Sequence, residues 1–497
     1  MKTKWLPTLT IGLIILLFFT GVSAETTSEP EIQPNLEAAE AYLEAQMRRH
    51  GFKGMAAAIT QGDEIIYLSG FGSAGGGQPI APQTPFFIGS VSKSFTALAV
   101  MQLVDQGLVD LDSPVQTYLP WFTTLDHASS SQITVRHLLN QTSGLSNSSF
   151  RRPRITAETT LEESVRHLSQ AQLTAEPGTQ FNYFNPNYNV LAQVVEAVSG
   201  MSFNRYLVEN IFEPLEMEHS FVDRASAENA GLATGYSFFF GMTIPRQQPF
   251  YPAEIPAGFI ISSAEDMAHY MIAQVNDGSF NQKAILSPAA VAVMHAAPAD
   301  VPGDYAMGWI VQESNGLKTI RHNGAVETFY ADVILLPEHA LGITLLLNQN
   351  AMLPQLTTYN SLADGLIDTL LEQQPARGGL SLRLIYVLLS ALVIYDLVRH
   401  VLLIIKLAQG WEADLTQSKF KGVMGIFFQH LLLPTLFILI IVMMIAAAGI
   451  NAARVTFLYQ ILDLTLWLVL SSILSIIEAL IKFRWWRVHK TADSAMG

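Results

Sequence analysis

Pro85-Phe86-Phe87-Ile88-Gly89-Ser90-Val91-Ser92-Lys93 runs directly into the apolar-periodic stretch Ser94-Phe95-Thr96-Ala97-Leu98-Ala99-Val100-Met101-Gln102-Leu103-Val104. The reading is a loop that feeds a helix, with Ser90 at the helix start and Lys93 one turn in. Residues three apart share a helix face, so the hydroxyl and the amine point the same way. A serine beside a lysine able to take its proton is the Ser-Lys form of an activated nucleophile. Alone the motif is weak, since about one or two such spacings arise by chance in a chain of this size. Ser90 by itself reads equally as a helix cap. The partners downstream decide between the two readings.

Outward from this stretch, the chain divides by composition. Its 497 residues leave room for more than one module, half of them are apolar, and cysteine is absent. Disulfides, thiol catalysis and thiolate metal sites are therefore excluded. Residues 1–376 carry 17 Lys/Arg against 36 Asp/Glu, a net −19, whereas residues 377–497 carry 11 against 6, a net +5. An acidic body with a basic, apolar tail argues against nucleic acid as a partner and suits a domain held at a lipid bilayer.

The N-terminus, Met1-Lys2-Thr3-Lys4 with an apolar run to Phe19 and Val22-Ser23-Ala24, reads as a signal peptide cut after Ala24, or else as an uncleaved anchor. After a linker at 375–381, apolar segments near 384–405, 423–450 and 457–481 are expected to form about three membrane helices within 382–490. The first is interrupted by Asp396, Arg399 and His400, where Asp396 and Arg399 are spaced to pair. Lys406, Lys419 and Lys421 follow the first segment, and Lys482, Arg484, Arg487 and Lys490 follow the third. Both places are cytoplasmic if residues 25–380 lie outside. The expected location is the cell membrane, multi-pass, with the soluble domain on the extracytoplasmic side. The tail reads as an anchor; Asp396, Asp463 and Glu478 are the residues through which it would do more.

Within 25–374 the pattern predicts a helix over 35–49, strands at 54–60 and 64–71, and a mainly helical middle to about residue 300. Strands return at 307–312, 317–321, 329–336 and 341–347, and a helix closes the domain over 356–371. The fold class is therefore α+β: an antiparallel sheet completed by N- and C-terminal strands, flanked by helices, with a helical region inserted. No internal repeat is present.

Two later motifs bear on Ser90. Pro177-Gly178-Thr179-Gln180-Phe181-Asn182-Tyr183-Phe184-Asn185 opens a helix over 188–199 and holds a Tyr-x-Asn pair, and His322-Asn323-Gly324 ends a strand. An early Ser-x-x-Lys, a mid-chain Tyr-x-Asn after Pro-Gly and a late His-x-Gly resemble the β-lactamase-related serine hydrolases. That family includes class C β-lactamases, penicillin-binding proteins, D-amino-acid peptidases and esterases. Leu108-Val109-Asp110-Leu111-Asp112-Ser113-Pro114 and Thr134-Val135-Arg136-His137-Leu138-Leu139-Asn140-Gln141-Thr142-Ser143-Gly144-Leu145 match it too, as do Pro214-Leu215-Glu216-Met217 and Ala257-Gly258 with Ser262-Ser263-Ala264-Glu265-Asp266. The resemblance covers about residues 35–372.

It implies catalytic roles for Ser90, Lys93, Tyr183 and His322. Ser90 is the expected nucleophile, with its own N–H as half of an oxyanion hole. The resemblance assigns the other half to the backbone of Ala325, next to Gly324. Lys93 and Tyr183 both stand as candidates for the base. Asn185 is expected to orient Lys93 and the substrate amide, and His322 stands where many relatives have Lys. His137 reads as structural. Gln141 replaces the His usual in relatives, Phe184 a small residue, and Glu327 is expected to bring negative charge to the site. No metal or cofactor is implied, since the histidines are scattered and no phosphate-binding Gly-rich loop appears.

The expected function is a membrane-anchored, exported serine hydrolase forming a Ser90 acyl-enzyme on an ester or amide of a small molecule or peptide. The alternatives are a D,D-carboxypeptidase or class C-type β-lactamase, or a membrane sensor acylated without turnover. Oligomeric state is left open by the sequence.

Overall fold

The computed structural model describes residues 34–150, 153–301, 303–314, 316–373, 379–409 and 419–496. The expected signal peptide lies outside them.

Strand β1 (Gly54–Gln61) shows how the sheet is built. Met55, Ala57 and Ile59 join one buried cluster, and Ala56 and Ala58 join another on the opposite face. This period of two is that of a strand buried on both sides. The remaining sheet strands are β2 (Glu64–Gly75), β3 (Gln78–Pro79), β6 (Ile310–Ser314), β7 (Leu317–Ala325), β8 (Tyr330–Leu336) and β9 (Leu341–Leu347). They form a seven-stranded sheet in the order β6-β7-β8-β9-β1-β2-β3. The full-length pairings are antiparallel, and β1 pairs with β9 from Met55↔Leu347 to Gln61↔Leu341. The N-terminal strands thus complete a sheet begun by the C-terminal ones, as the sequence predicts.

One face is covered by α1 (Leu36–His50) and α5 (Tyr359–Leu370). The predicted closing helix is divided at Thr358 (φ −135°) into Met352–Thr357 and α5. The break seats Tyr359 flat on Tyr330 of β8, ring centroids 4.1 Å apart, with its hydroxyl donating to Gln349 O at 2.7 Å. Arg321 of β7 bridges Asp332 of β8 (2.7 Å) and Asp364 of α5 (3.0 Å), tying this face together.

The other face carries α2 (Ser92–Asp105), α3 (Pro186–Ser199) and α4 (Ala264–Val275). Residues Ser92 through Leu103 are all buried, so α2 is a central helix with no solvent face. The inserted region, expected to be mainly helical, also holds a hairpin of β4 (Tyr236–Phe239) and β5 (Met242–Pro245).

Beyond residue 379, α6 (Leu382–Gln409) and the first 24 residues of α8 (Leu462–Met496) are long and apolar enough to cross a membrane. The middle segment is a bent pair of helices. It consists of Val423–Leu431 and Pro434–Ile445, the latter within α7 (Leu432–Val455), bent by 60°. A proline removes a helix hydrogen bond and crowds the preceding turn, and a π-helical turn, Phe427–Leu431, adjoins the bend. Asp396 and Arg399 pair at 3.0 Å, as their spacing predicts.

The tail packs directly on the body. Tyr386 of α6 stacks on Phe238 of β4 at 5.3 Å, and Arg246 lies 4.9 Å above the ring of Tyr459. Leu382 N donates to His50 Nδ1 at 3.2 Å.

Candidate active site

Ser90 lies in the tight turn Gly89–Val91 that leads into α2, so the expected helix start is a short 3-10 turn. Gly89 has φ +54°, and a Cβ there would stand 2.5 Å from Ala325 N. A Cβ on Gly324 would stand 1.9 Å from Ile88 O and 2.8 Å from Ser90 N. Only glycine lets the end of β7 lie against the serine turn this closely. The backbone of Ala325 and that of Ser90 are thereby brought to one place. Ser92 fixes the turn from below: its hydroxyl donates to Gly89 O at 2.8 Å and accepts from Ile260 N at 3.1 Å.

Lys93 is fully buried. Its Nζ donates to Ser90 Oγ at 3.0 Å and to the carbonyl of Ala257. The ring of Tyr183 lies 4.8 Å from it and that of Tyr188 5.8 Å. Burial lowers the Lys93 pKa to about 7, opposed by the negative field of Glu254. A lysine that is half neutral near pH 7 can accept a proton, which an exposed lysine rarely does.

Tyr183 is a neighbour of Ser90, and burial raises its phenol well above the ordinary range. Its segment hangs on Gln141, a fully buried residue with φ +59°. Gln141 Oε1 accepts from Phe184 N at 3.0 Å and Asn187 Nδ2 at 2.7 Å, and its carbonyl accepts from Asn182 N at 2.9 Å. Ser143 Oγ reaches Asn187 Oδ1 at 2.8 Å. The block around Gln141 therefore serves as the cradle of Tyr183.

His322, on β7, is buried. Its Nδ1 is 2.6 Å from Asn323 O and so carries the hydrogen, leaving Nε2 to accept from the Tyr305 hydroxyl at 3.3 Å. Burial, then the charge of Lys93, lowers its pKa to about 3. His322 is thus a neutral ring. Its ring lies 6.3 Å from that of Tyr183, and its side-chain hydrogen-bond partner among the described residues is Tyr305.

Two expectations are corrected. Asn185 is exposed at the start of α3, and the group that holds Lys93 is the Ala257 carbonyl. Glu327 is buried and its carboxyl is turned to Gln248 Nε2, away from the role expected of it, and burial raises its pKa. Phe184 is buried in the main core. His137 closes a capping box with Thr134, in line with its structural reading.

Tyr305, Glu254 and the Ala257 carbonyl were not singled out from sequence. A backbone carbonyl carries no side-chain signal, and Tyr305 stands in no motif; Ala257 drew notice only through its resemblance to the family. Among the described residues, His219, Glu265 and Asp266 are the group whose ligand atoms converge within 4.8 Å, as a metal site would need. Asp266 there already accepts from Ser220 Oγ (2.7 Å) and His219 N (2.8 Å). A cavity of about 320 Å³ is lined by Phe87, Arg224, Gln248 and Phe329, and by none of Ser90, Lys93, Tyr183 or His322.

With this geometry in hand, comparison with known proteins is informative. A family model described as Beta-lactamase matches residues 39–364. Protein flp of Staphylococcus aureus (strain MW2) is 24% identical over 312 residues, 62% of this chain and 62% of its own. Putative beta-lactamase-like 1 of Homo sapiens is 29% identical over 342 residues, 64% of this chain and 65% of its own. The chain thus spans less than two thirds of these relatives' length. Among solved structures, the octameric penicillin-binding protein homologue from Pyrococcus abyssi has a TM-score of 0.58 and 27% identity, covering 69% of this chain and 78% of that one. EstCE1, a hydrolase with promiscuous acyltransferase activity, shares the fold with a TM-score of 0.55 and 24% identity, covering 63% and 93%.

Proposed function

The chain belongs to the beta-lactamase family, and on that premise we propose that it is a membrane-anchored, exported serine hydrolase that cleaves esters or amides through an acyl-enzyme on Ser90. The observation that carries this reading is Lys93: fully buried, 3.0 Å from Ser90 Oγ, with its pKa lowered to about 7.

Neutral Lys93 takes the Ser90 proton as Oγ attacks the substrate carbonyl carbon. The oxyanion is held by the N–H groups of Ser90 and Ala325. Tyr183, whose raised pKa keeps it protonated, gives its hydrogen to the leaving oxygen or nitrogen as that bond breaks. The Lys93 ammonium returns the proton to Tyr183. Water, deprotonated by the same pair, then releases the acyl group. Asn185, exposed at the mouth of the segment, is assigned to the substrate amide.

The substrate class follows from His322. Where relatives place a lysine, this chain has an uncharged imidazole capped by Tyr305. A site without that cation favours neutral acyl groups over substrates with a carboxylate beside the scissile bond, penicillins included. The soluble domain is assigned to the extracytoplasmic side, with α6, the bent segment and α8 in the lipid bilayer; the partners are the bilayer and a small ester, amide or peptide.

Activity profiling of wild type and Ser90→Ala tests the reading, with a fluorophosphonate, a labelled penicillin, and panels of esters and D-amino peptides. Ser90-dependent labelling with steady-state turnover of neutral esters is expected. A stable adduct without turnover would make the protein a sensor, and absence of Ser90-dependent labelling by every probe would remove the hydrolase reading.

A further inference from the structure

Between the apolar helices lies a hydrogen-bonded chain of polar side chains that the proposed hydrolase does not use. Glu478 of α8 is almost wholly buried. Its Oε1 is 2.8 Å from His400 Nδ1 of α6, and its Oε2 is 2.7 Å from His430 Nδ1, in the turn at the bend of the middle segment. His400 Nε2 is 3.0 Å from Arg399 Nη2 and 3.1 Å from Ser471 Oγ. Ser471 Oγ is 2.6 Å from Asp396 Oδ2, which also accepts from Trp467 Nε1 at 3.0 Å. Lys482 Nζ donates to Gln429 at 2.8 Å.

Hydrogen bookkeeping shows what this arrangement can do. An ionised Glu478 only accepts, so each Nδ1 carries a hydrogen and each Nε2 keeps a lone pair. The charges of Asp396 and Glu478 then balance those of Arg399 and Lys482. His430 Nε2 is buried and has no hydrogen-bond partner among the described residues. His400 Nε2 has partners for either state: neutral, it accepts from Arg399; protonated, it donates to Ser471, whose own hydrogen goes to Asp396. Buried ionisable groups in a membrane are costly to keep and are usually functional.

We propose that His400, Glu478 and His430 form an intramembrane proton-binding site. One proton passes from a hydronium ion of the medium to an imidazole Nε2 lone pair; an O–H bond breaks, an N–H bond forms, water is released, and the cluster gains one positive charge. The ligand is a proton because the two Nδ1 atoms face opposite oxygens of one carboxylate instead of converging on a point. The groups facing the site are Asp396 and Arg399 on α6, Gln429 beside His430, and Ser471 and Lys482 on α8.

The test uses the full chain in lipid vesicles with ¹⁵N-labelled histidine, titrated by solid-state NMR and assigned with His400→Gln and His430→Gln. Coupling through the shared carboxylate is expected: His430→Gln moves the His400 midpoint by about one pH unit. In a Glu478→Gln background the same change leaves the midpoint in place. Ser471→Ala, a small truncation that leaves the apolar packing intact, lowers the protonated fraction of His400 several-fold at a fixed acidic pH. Independent titration of the two histidines, indifferent to Glu478→Gln and Ser471→Ala, overturns the proposal.

Discussion

Lys93 Nζ lies 3.0 Å from Ser90 Oγ, with the rest of the amine wrapped by protein. Burial penalises the charged form, and no carboxylate is close enough to restore it fully. The proton-accepting state appears above a pKa of about 7. The rate of Ser90 labelling by a neutral ester probe should therefore rise about tenfold per pH unit below that value and level off above it. Glu254 pushes the Lys93 pKa up. Glu254→Gln should move the midpoint to lower pH, and a midpoint that stays put or rises would count against Lys93 as the base.

Gly324→Ala should abolish acylation. Its Cβ would stand 1.9 Å from Ile88 O, forcing β7 away from Ser90 and opening the oxyanion hole. Loss of one such donor costs about 100-fold or more in rate. Gly62→Ala, at an open turn, is the control for backbone strain without a clash at the site. Stopped-flow labelling separates the two.

His322→Lys should restore a cation where the chain now has a neutral ring. The ratio of acylation rates for a carboxylate-bearing penicillin over a neutral ester should rise tenfold or more, equivalent to about 1.4 kcal/mol. An unchanged ratio would mean that His322 does not set the preference.

Gln141→Ala should strand the Phe184 N–H and the Asn187 amide in the core. Each buried unpaired group costs about 1–3 kcal/mol. Thermal unfolding should shift down, and turnover should fall together with the ordering of Tyr183.

Glu327→Gln separates a buried acid from a site acid. The raised folded pKa of Glu327 means its contribution to stability is full below the usual carboxylate range and is lost as pH rises through the raised value. The Gln variant should gain stability relative to wild type toward alkaline pH, with substrate preference unchanged. A changed penicillin-to-ester ratio would return Glu327 to the site.

Much of this was legible in the residues themselves. Period-two burial in β1 and the return of strands after residue 300 outline the sheet, and Ser90, Lys93, Tyr183 and His322 do meet, because each sits at the end of an element whose pattern is strong. The unread parts share a cause. Ala257 acts through its carbonyl, which every residue possesses, and Tyr305 acts through a contact made only after the sheet forms. Glu327 is close in sequence to Ala325, yet the turn closed by Val326 N and Phe329 O (3.1 Å) directs its carboxylate to Gln248. Hydropathy reads length but not direction, so the 60° bend at the middle apolar segment does not show in the apolar run, although Pro434 stands in plain view.

The stack of Phe238 on Tyr386, the Arg246–Tyr459 contact and the Leu382–His50 hydrogen bond together join body and tail at separate points. A body gripped this way cannot pivot like a buoy on a rope. It sits on the apolar helices in one attitude, so the distance of Ser90 from them is set by the architecture, and under the proposed membrane-anchored hydrolase reading the substrate must arrive at that fixed level.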